Sequence, residues 1–173
     1  GYVDTDRIGI TGHSLGGMSS NTAIAMDNAA PVQLISAILL NCADATYTDA
    51  ETQAYTDVYG SRDTGIIAVQ YDEFFMTQMD ENGNETAPRD YLKYSNAQSF
   101  LYFGNDPAGK ELRVADTLYH EDMDGTDAMR VIYDPAITHP FSHFSKQSTT
   151  ATIEFFDEAF GTPHPIAPAS QVW

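Results

Sequence analysis

Basic residues are scarce in this 173-residue chain: 8 Lys and Arg stand against 25 Asp and Glu, a formal charge of −17. Such an excess repels a phosphate backbone and an anionic bilayer, which argues against nucleic acid as a partner. Cysteine is almost absent. Cys42 has no second thiol to pair with, so no internal disulfide framework exists, and its position at the end of an apolar run reads as a small buried residue. No stretch approaches the roughly eighteen apolar residues of a membrane span. The first residues also lack the basic segment followed by an apolar core that marks a secretory leader. What remains is sufficient for one domain with a packed core, since 42% of residues are apolar and 12% aromatic. Composition leaves habitat and localisation open.

The most informative stretch is Arg7 to Gly17. A short apolar strand carrying Ile8 and Ile10 runs into Gly12-His13-Ser14-Leu15-Gly16, a G-x-S-x-G pattern, and then into a helix rich in small residues. A serine hydroxyl stands clear of a sheet only if the backbone turns sharply from strand to helix with the serine strained. Side chains two residues to either side would collide there, so Gly12 and Gly16 are expected to be obligatory. The helix would aim unpaired N–H groups and its positive end at a developing oxyanion, with the Leu15 N–H as one donor. His13, beside the serine, reads as packing or pocket shape.

The run Asp4 to Gly17 resembles the strand, elbow and helix of the α/β-hydrolase superfamily, in its esterase, lipase and dienelactone-hydrolase-like branches, and the likeness continues more weakly along the chain. The resemblance implies an α/β fold with a mostly parallel sheet flanked by helices. It implies a serine hydrolase, carboxylesterase- or lipase-like, acting on a small-molecule ester or acyl substrate through an acyl-enzyme, with no cofactor and no metal. The elbow arrives at residue 14, whereas in the superfamily several strands precede it. Residues 1–161 are therefore expected to be the C-terminal part of a catalytic domain. Its N-terminal half, with the second oxyanion donor, would lie outside this chain. Residues 76–127 would be an excursion shaping the pocket, and 162–173 a proline-rich tail or linker. Some similar bacterial membrane-associated hydrolases continue into transmembrane helices after such a tail, so a membrane segment beyond Trp173 belongs to the same expectation.

The superfamily's chain order is serine, acid, histidine. After the elbow comes a helix over about 19–28, then the apolar run Val32 to Cys42, expected as a central parallel strand. The run Thr64 to Tyr71 reads as another buried strand, followed at once by Asp72. That position suits an acid that holds one histidine tautomer and stabilises the imidazolium. A solvated acidic turn is the other reading of Asp72, and Glu73 is its rival, expected to point the other way. The last strand spans 128–134, and beyond it lie His139, His143 and a helix over 146–160 capped by Ser145. His139 is favoured as the base because it lies nearer the strand end; His143 is the alternative base or a pocket residue.

Other segments are less specific. Residues 44–63 form an acidic connection whose Tyr47, Tyr55 and Tyr59 offer aromatic surface near the mouth of the site. A helix over 89–102 would carry Tyr94, Phe100, Tyr102 and Phe103 as pocket walls or as core. His120 to Asp127 reads as a solvated acidic turn, its consecutive carboxylates unsuited to a metal. Three functional readings stay open at this stage: an ester hydrolase, a peptidase or acyltransferase on the same scaffold, and a non-catalytic binding module that keeps the fold.

Overall fold

Strands covered on both faces need apolar residues at every position rather than alternate ones, and three segments of this chain meet that demand. The computed structural model describes residues 4–45, 56–80 and 82–171. Strand β1 (Ile8–His13) leads into helix α1 (Leu15–Ala29), followed by β2 (Ile35–Asn41) and β3 (Asp63–Ile67). A short helix α2 (Ser95–Leu101), the strands β4 (Tyr119–Met123) and β5 (Thr126–Tyr133), and helix α3 (Lys146–Phe160) complete the order. The sheet has 5 strands in the order β1-β2-β3-β5-β4. Neighbours β1, β2, β3 and β5 are parallel, and β4 adds antiparallel at the edge. This is an α/β fold.

The apolar runs divide by parity, because successive side chains on a strand point to opposite faces. Ile38, Leu40, Ile66 and Ile132 pack with Ile24 of α1 and with Phe100 and Leu101 of α2. Ala37, Leu39, Ile67 and Val131 pack on the other face with Ala151 and Phe155 of α3. At the base of the β1–β2 layer, Asp27 ties α1 to the sheet. It accepts the Leu34 and Ile35 N–H groups at 2.9 and 3.2 Å and pairs with buried Arg62 at 2.7 Å. These donors hold its carboxyl below the usual range against the opposing effect of burial.

Several sequence expectations need correction. The acidic stretch 120–127 is no solvated loop: it is the β4–β5 hairpin, turning at Asp124-Gly125, both with positive φ (57° and 84°). Two such residues are what a two-residue hairpin turn requires. The single helix expected over 89–102 is broken at Tyr94, which is extended (φ −93°, ψ 153°) between a 3-10 segment at Pro88–Lys93 and α2. The strand expected to reach Tyr71 stops at Ile67. Tyr59 offers no surface, being wholly buried with its hydroxyl donating to Asn21 Oδ1 at 2.6 Å; Tyr47 and Tyr55 lie outside the described residues. Phe100 and Phe103 are core, and Tyr102 stacks beneath Lys110 and Arg113, so these residues wall no pocket at the elbow. The tail does not lead away in extended form. A 3-10 turn at Pro168–Ser170 packs back on α3, and the His164 N–H bonds the Asp157 carboxylate at 3.2 Å.

No helix among the described residues is long and apolar enough to cross a membrane.

Candidate active site

Parallel strands in register end together. His13 pairs with Asn41, Asn41 with Ile67, and Ile67 with Tyr133, so four chain segments leave the sheet along one edge. The first residue past three of these strands adds one more rung: Ser14 N–H to Asn41 O at 2.8 Å, Cys42 N–H to Ile67 O at 2.9 Å, and Ala68 N–H to Tyr133 O at 2.8 Å. Loops at this carboxyl edge are where open α/β sheets gather ligand-binding groups.

Ser14 sits between β1 and α1 at φ 59°, ψ −121°. That region is costly for any residue with a Cβ. The tightness of the turn is visible at Gly12, where a Cβ would stand 2.2 Å from the Gly16 carbonyl oxygen. The second obligatory glycine is Gly17 rather than Gly16. A Cβ at Gly16 would meet open space, whereas one at Gly17 would come within 2.5 Å of Ala43 Cβ. Spacing along the sequence pointed to Gly16; contact with the chain after β2 makes Gly17 the crowded one. Ser14 stays partly accessible and its hydroxyl caps nothing. The Leu15 N–H, first of α1, is unused among the described residues, as the opening N–H groups of a helix are by construction.

The loops after β3 and β5 run side by side. Gln70 N–H bonds Pro135 O at 3.0 Å, Tyr71 N–H bonds Ile137 O at 3.2 Å, and Tyr71 bridges Thr138 in parallel. The next residue on each loop is Asp72 and His139, and this ladder brings them into contact. His139 Nδ1 lies 2.9 Å from Asp72 Oδ2, with both side chains buried. A carboxylate only accepts, so Nδ1 carries a proton, and in the neutral imidazole the lone pair is on Nε2. Asp72 Oδ1 accepts the Phe74 and Phe75 N–H groups, each at 2.8 Å, which fixes the carboxylate in turn. The Glu73 carboxylate also reaches His139, accepting its backbone N–H at 3.3 Å. The expectation that it points away is corrected accordingly.

No hydrogen bond or ion pair joins His143 to Asp72 among the described residues; its ring lies 4.4 Å from that of His13 and 3.9 Å from that of Phe144. His13 joins the two halves of the site. Its Nε2–H donates to the His139 carbonyl at 2.9 Å, and its ring centroid is 4.8 Å from that of His139. Burial, reinforced by the two neighbouring imidazoles, lowers the His13 pKa against the raising effect of that carbonyl. No hydrogen bond joins Ser14 Oγ to His139 among the described residues; the contact between their two segments is the one His13 makes.

The sequence did not single out two further members of this site. Ser142 Oγ donates to Asn41 Oδ1 at 2.5 Å and meets Ser148 Oγ at 3.0 Å, pinning the histidine loop to the end of β2 and to α3. Cys42 lies beneath, with its sulfur and one nitrogen each of His13 and His139 all within 4.8 Å of one another. Burial pushes that thiol up to about 12, which disfavours the thiolate form. Exposed Leu15, Phe74, Phe141 and Phe144 ride on the same three segments as Ser14, Asp72 and His139, and edge them with apolar surface.

Comparison of the chain with protein-family models and with curated proteins, and of its fold with solved structures, returns no match.

Proposed function

We propose that the chain is the C-terminal part of an α/β-hydrolase-type catalytic domain, and that it works as a serine hydrolase on carboxylic esters. The observation that carries this reading is the buried Asp72–His139 hydrogen bond of 2.9 Å, formed at the same sheet edge as a strained and uncapped serine. Two features of the sequence, the elbow motif and the order serine, acid, histidine, support it independently.

In this mechanism Ser14 Oγ attacks the ester carbonyl while His139 Nε2 takes its proton, giving a tetrahedral intermediate. Collapse expels the alcohol, which receives that proton from His139, and leaves an acyl group on Ser14. Water then repeats the sequence and releases the acid. Asp72 keeps His139 in the Nδ1–H tautomer and stabilises the imidazolium. The Leu15 N–H donates to the oxyanion, and the second donor comes from the N-terminal half outside this chain, whose strands would join the sheet beside β1. The chemistry calls for no metal or organic cofactor. Triad contacts to the nucleophile are often long before substrate arrives, which accommodates the absent Ser14–His139 bond. The apolar edge of Leu15, Phe74, Phe141 and Phe144 suits an ester with a hydrocarbon acyl or alcohol portion.

A peptidase or acyltransferase would use the same groups. A non-catalytic binding module is the reading favoured by the absence of a Ser14–His139 hydrogen bond among the described residues. The deciding experiment treats the protein that carries this chain with a fluorophosphonate probe. Covalent mass on Ser14, lost in Ser14→Ala, is expected together with hydrolysis of p-nitrophenyl esters. Labelling that survives Ser14→Ala, or no labelling of folded protein, overturns the hydrolase reading.

A further inference from the structure

His13 ends β1, Cys42 follows β2, and His139 lies on the loop after β5, so parallel strands ending in register bring three distant side chains together. Cys42 Sγ and one nitrogen each of His13 and His139 all lie within 4.8 Å of one another, a convergence of ligand-type atoms not repeated among the described residues. A point shared by three atoms 4.8 Å apart is about 2.8 Å from each, against roughly 2.0 Å for a Zn–N bond and 2.3 Å for Zn–S. Inward shifts of under about 1 Å would close the set. Two imidazoles and a sulfur are donors that suit zinc, where calcium and magnesium call for oxygen.

The surroundings of the two rings point the same way. A metal-ligating histidine ordinarily donates its other ring N–H to a carboxylate or a backbone carbonyl, which fixes the ring and raises its basicity. Both rings make such a bond: His139 Nδ1 with Asp72 Oδ2 at 2.9 Å, and His13 Nε2 with the His139 carbonyl at 2.9 Å. Each ring keeps its second nitrogen. His13 also borders a cavity of about 300 Å³, together with Gly12, Asn41 and His143, so one member of the set meets open space. Three protein ligands with an open fourth position is an arrangement zinc accepts.

We propose that Cys42 Sγ, with one nitrogen each of His13 and His139, binds a zinc ion, and that the ion switches the site off. On binding, the Cys42 S–H bond breaks, a Zn–S bond forms, and the proton leaves to solvent; the imidazoles bind in their neutral form and release none. The switch rests on the hydrolase reading. Asp72 holds one nitrogen of His139, and the other cannot both ligate zinc and take the Ser14 proton.

The protein that carries this chain is titrated with zinc chloride against a chromophoric chelator, and with cadmium, whose bond to a thiolate gives a near-ultraviolet charge-transfer band. One ion per chain and that band are expected. Loss of an outer partner of a metal ligand costs roughly 10- to 100-fold in affinity, so Asp72→Asn should weaken zinc by that factor and Cys42→Ser or His13→Gln by at least about 100-fold. Cys42→Ser should also lose the band. His13 is partly exposed, so His13→Gln keeps the test alive should Cys42→Ser fail to fold. His120→Gln, on exposed β4, removes an imidazole elsewhere and should change nothing. Absence of saturable zinc binding, a band that survives Cys42→Ser, or an equal loss in His120→Gln overturns the proposal. Ester hydrolysis, taken relative to each variant's own zinc-free rate, should fall with occupancy and return with EDTA. Bound zinc that leaves turnover untouched overturns the switch. Ser14→Ala should bind zinc and cadmium as the parent does, so failure of the hydrolase reading leaves the binding result readable.

Discussion

Two serines in this molecule each precede a helix of 15 residues, and they are used in opposite ways. Ser145 stands at φ −79°, ψ 146°, and its hydroxyl accepts the Ser148 N–H at 3.0 Å, closing one of the open donors of α3. Ser14 stands at φ 59°, ψ −121°, makes no capping bond, and leaves the first N–H of α1 open as well. A relaxed backbone with a satisfied cap is what stability selects. A strained backbone with a free hydroxyl and a free donor is destabilising on both counts, and positions of that kind cluster where chemistry is done. The contrast separates a serine that holds the fold from one that the fold holds.

The largest effects should fall on the Ser14 side and on activity alone. Ser14→Ala is expected to lower ester hydrolysis by on the order of 10⁵-fold or more, the scale seen when a nucleophile is removed from a triad. Its melting temperature should stay near that of the parent, and a large drop in both would mean that Ser14 is structural. Asp72→Asn comes next. Steady-state kinetics should show kcat reduced by on the order of 10³ to 10⁴ through the wrong His139 tautomer, with little change in KM. An equal loss from His143→Ala, with His139→Ala active, would reverse the assignment of the base.

Smaller effects concern stability and should run in opposite directions at the two positions. Ser14→Gly relieves the positive φ and should raise chemical-denaturation stability by about 1 kcal/mol, while abolishing turnover. Ser145→Ala should lower it by about 1 kcal/mol, with activity largely kept. Identical shifts would erase the distinction drawn between them. The smallest effect is a pH slope. The His13 pKa is lowered from 6.5 in the fold. Between the folded value and 6.5 the unfolded chain therefore binds the extra proton, and stability declines as pH falls through that window. Urea melts at a series of pH values should show a shallower acid slope for His13→Gln than for the parent, and parallel curves would refute the assignment.

Much of the parallel sheet is legible in the sequence because its signal is local. Val32 to Cys42 is apolar at nearly every position, and a strand buried on both faces produces that pattern; the strand itself begins only at Ile35, with Val32 and Leu34 exposed ahead of it. The positive φ of Ser14 follows from G-x-S-x-G, and the cap at Ser145 from its place before an amphipathic run. Strand β4 is illegible for the opposite reason. Its His120-Glu121-Asp122 centre is charged because it lies at the sheet edge in solvent, so hydrophobic periodicity cannot find it; the Asp124-Gly125 turn was the available sign. Contacts between distant segments are hidden in the same way. Gly17 is crowded by Ala43, Ser142 reaches Asn41, and the Tyr71–Thr138 bridge sets Asp72 beside His139; the pairing of those two was expected from chain order, but neither the bridge nor the other two contacts can be read from spacing. The cavity beside Tyr133 needs four separated segments, at Asp116, 133–135, 146–154 and Ala169, before it exists at all.

The two borders of the sheet also differ in what they permit. Strand β4 presents His120, Glu121 and Asp122 along its length, a row of ionisable groups that turns away any further strand. Strand β1 carries Ile8, Gly9, Ile10, Thr11 and Gly12, all uncharged, before it ends at His13, and among the described residues it pairs on one side with β2. Charge therefore opposes a further strand at β4 and does not oppose one at β1, which gives the layer a polarity that its helices alone would not impose.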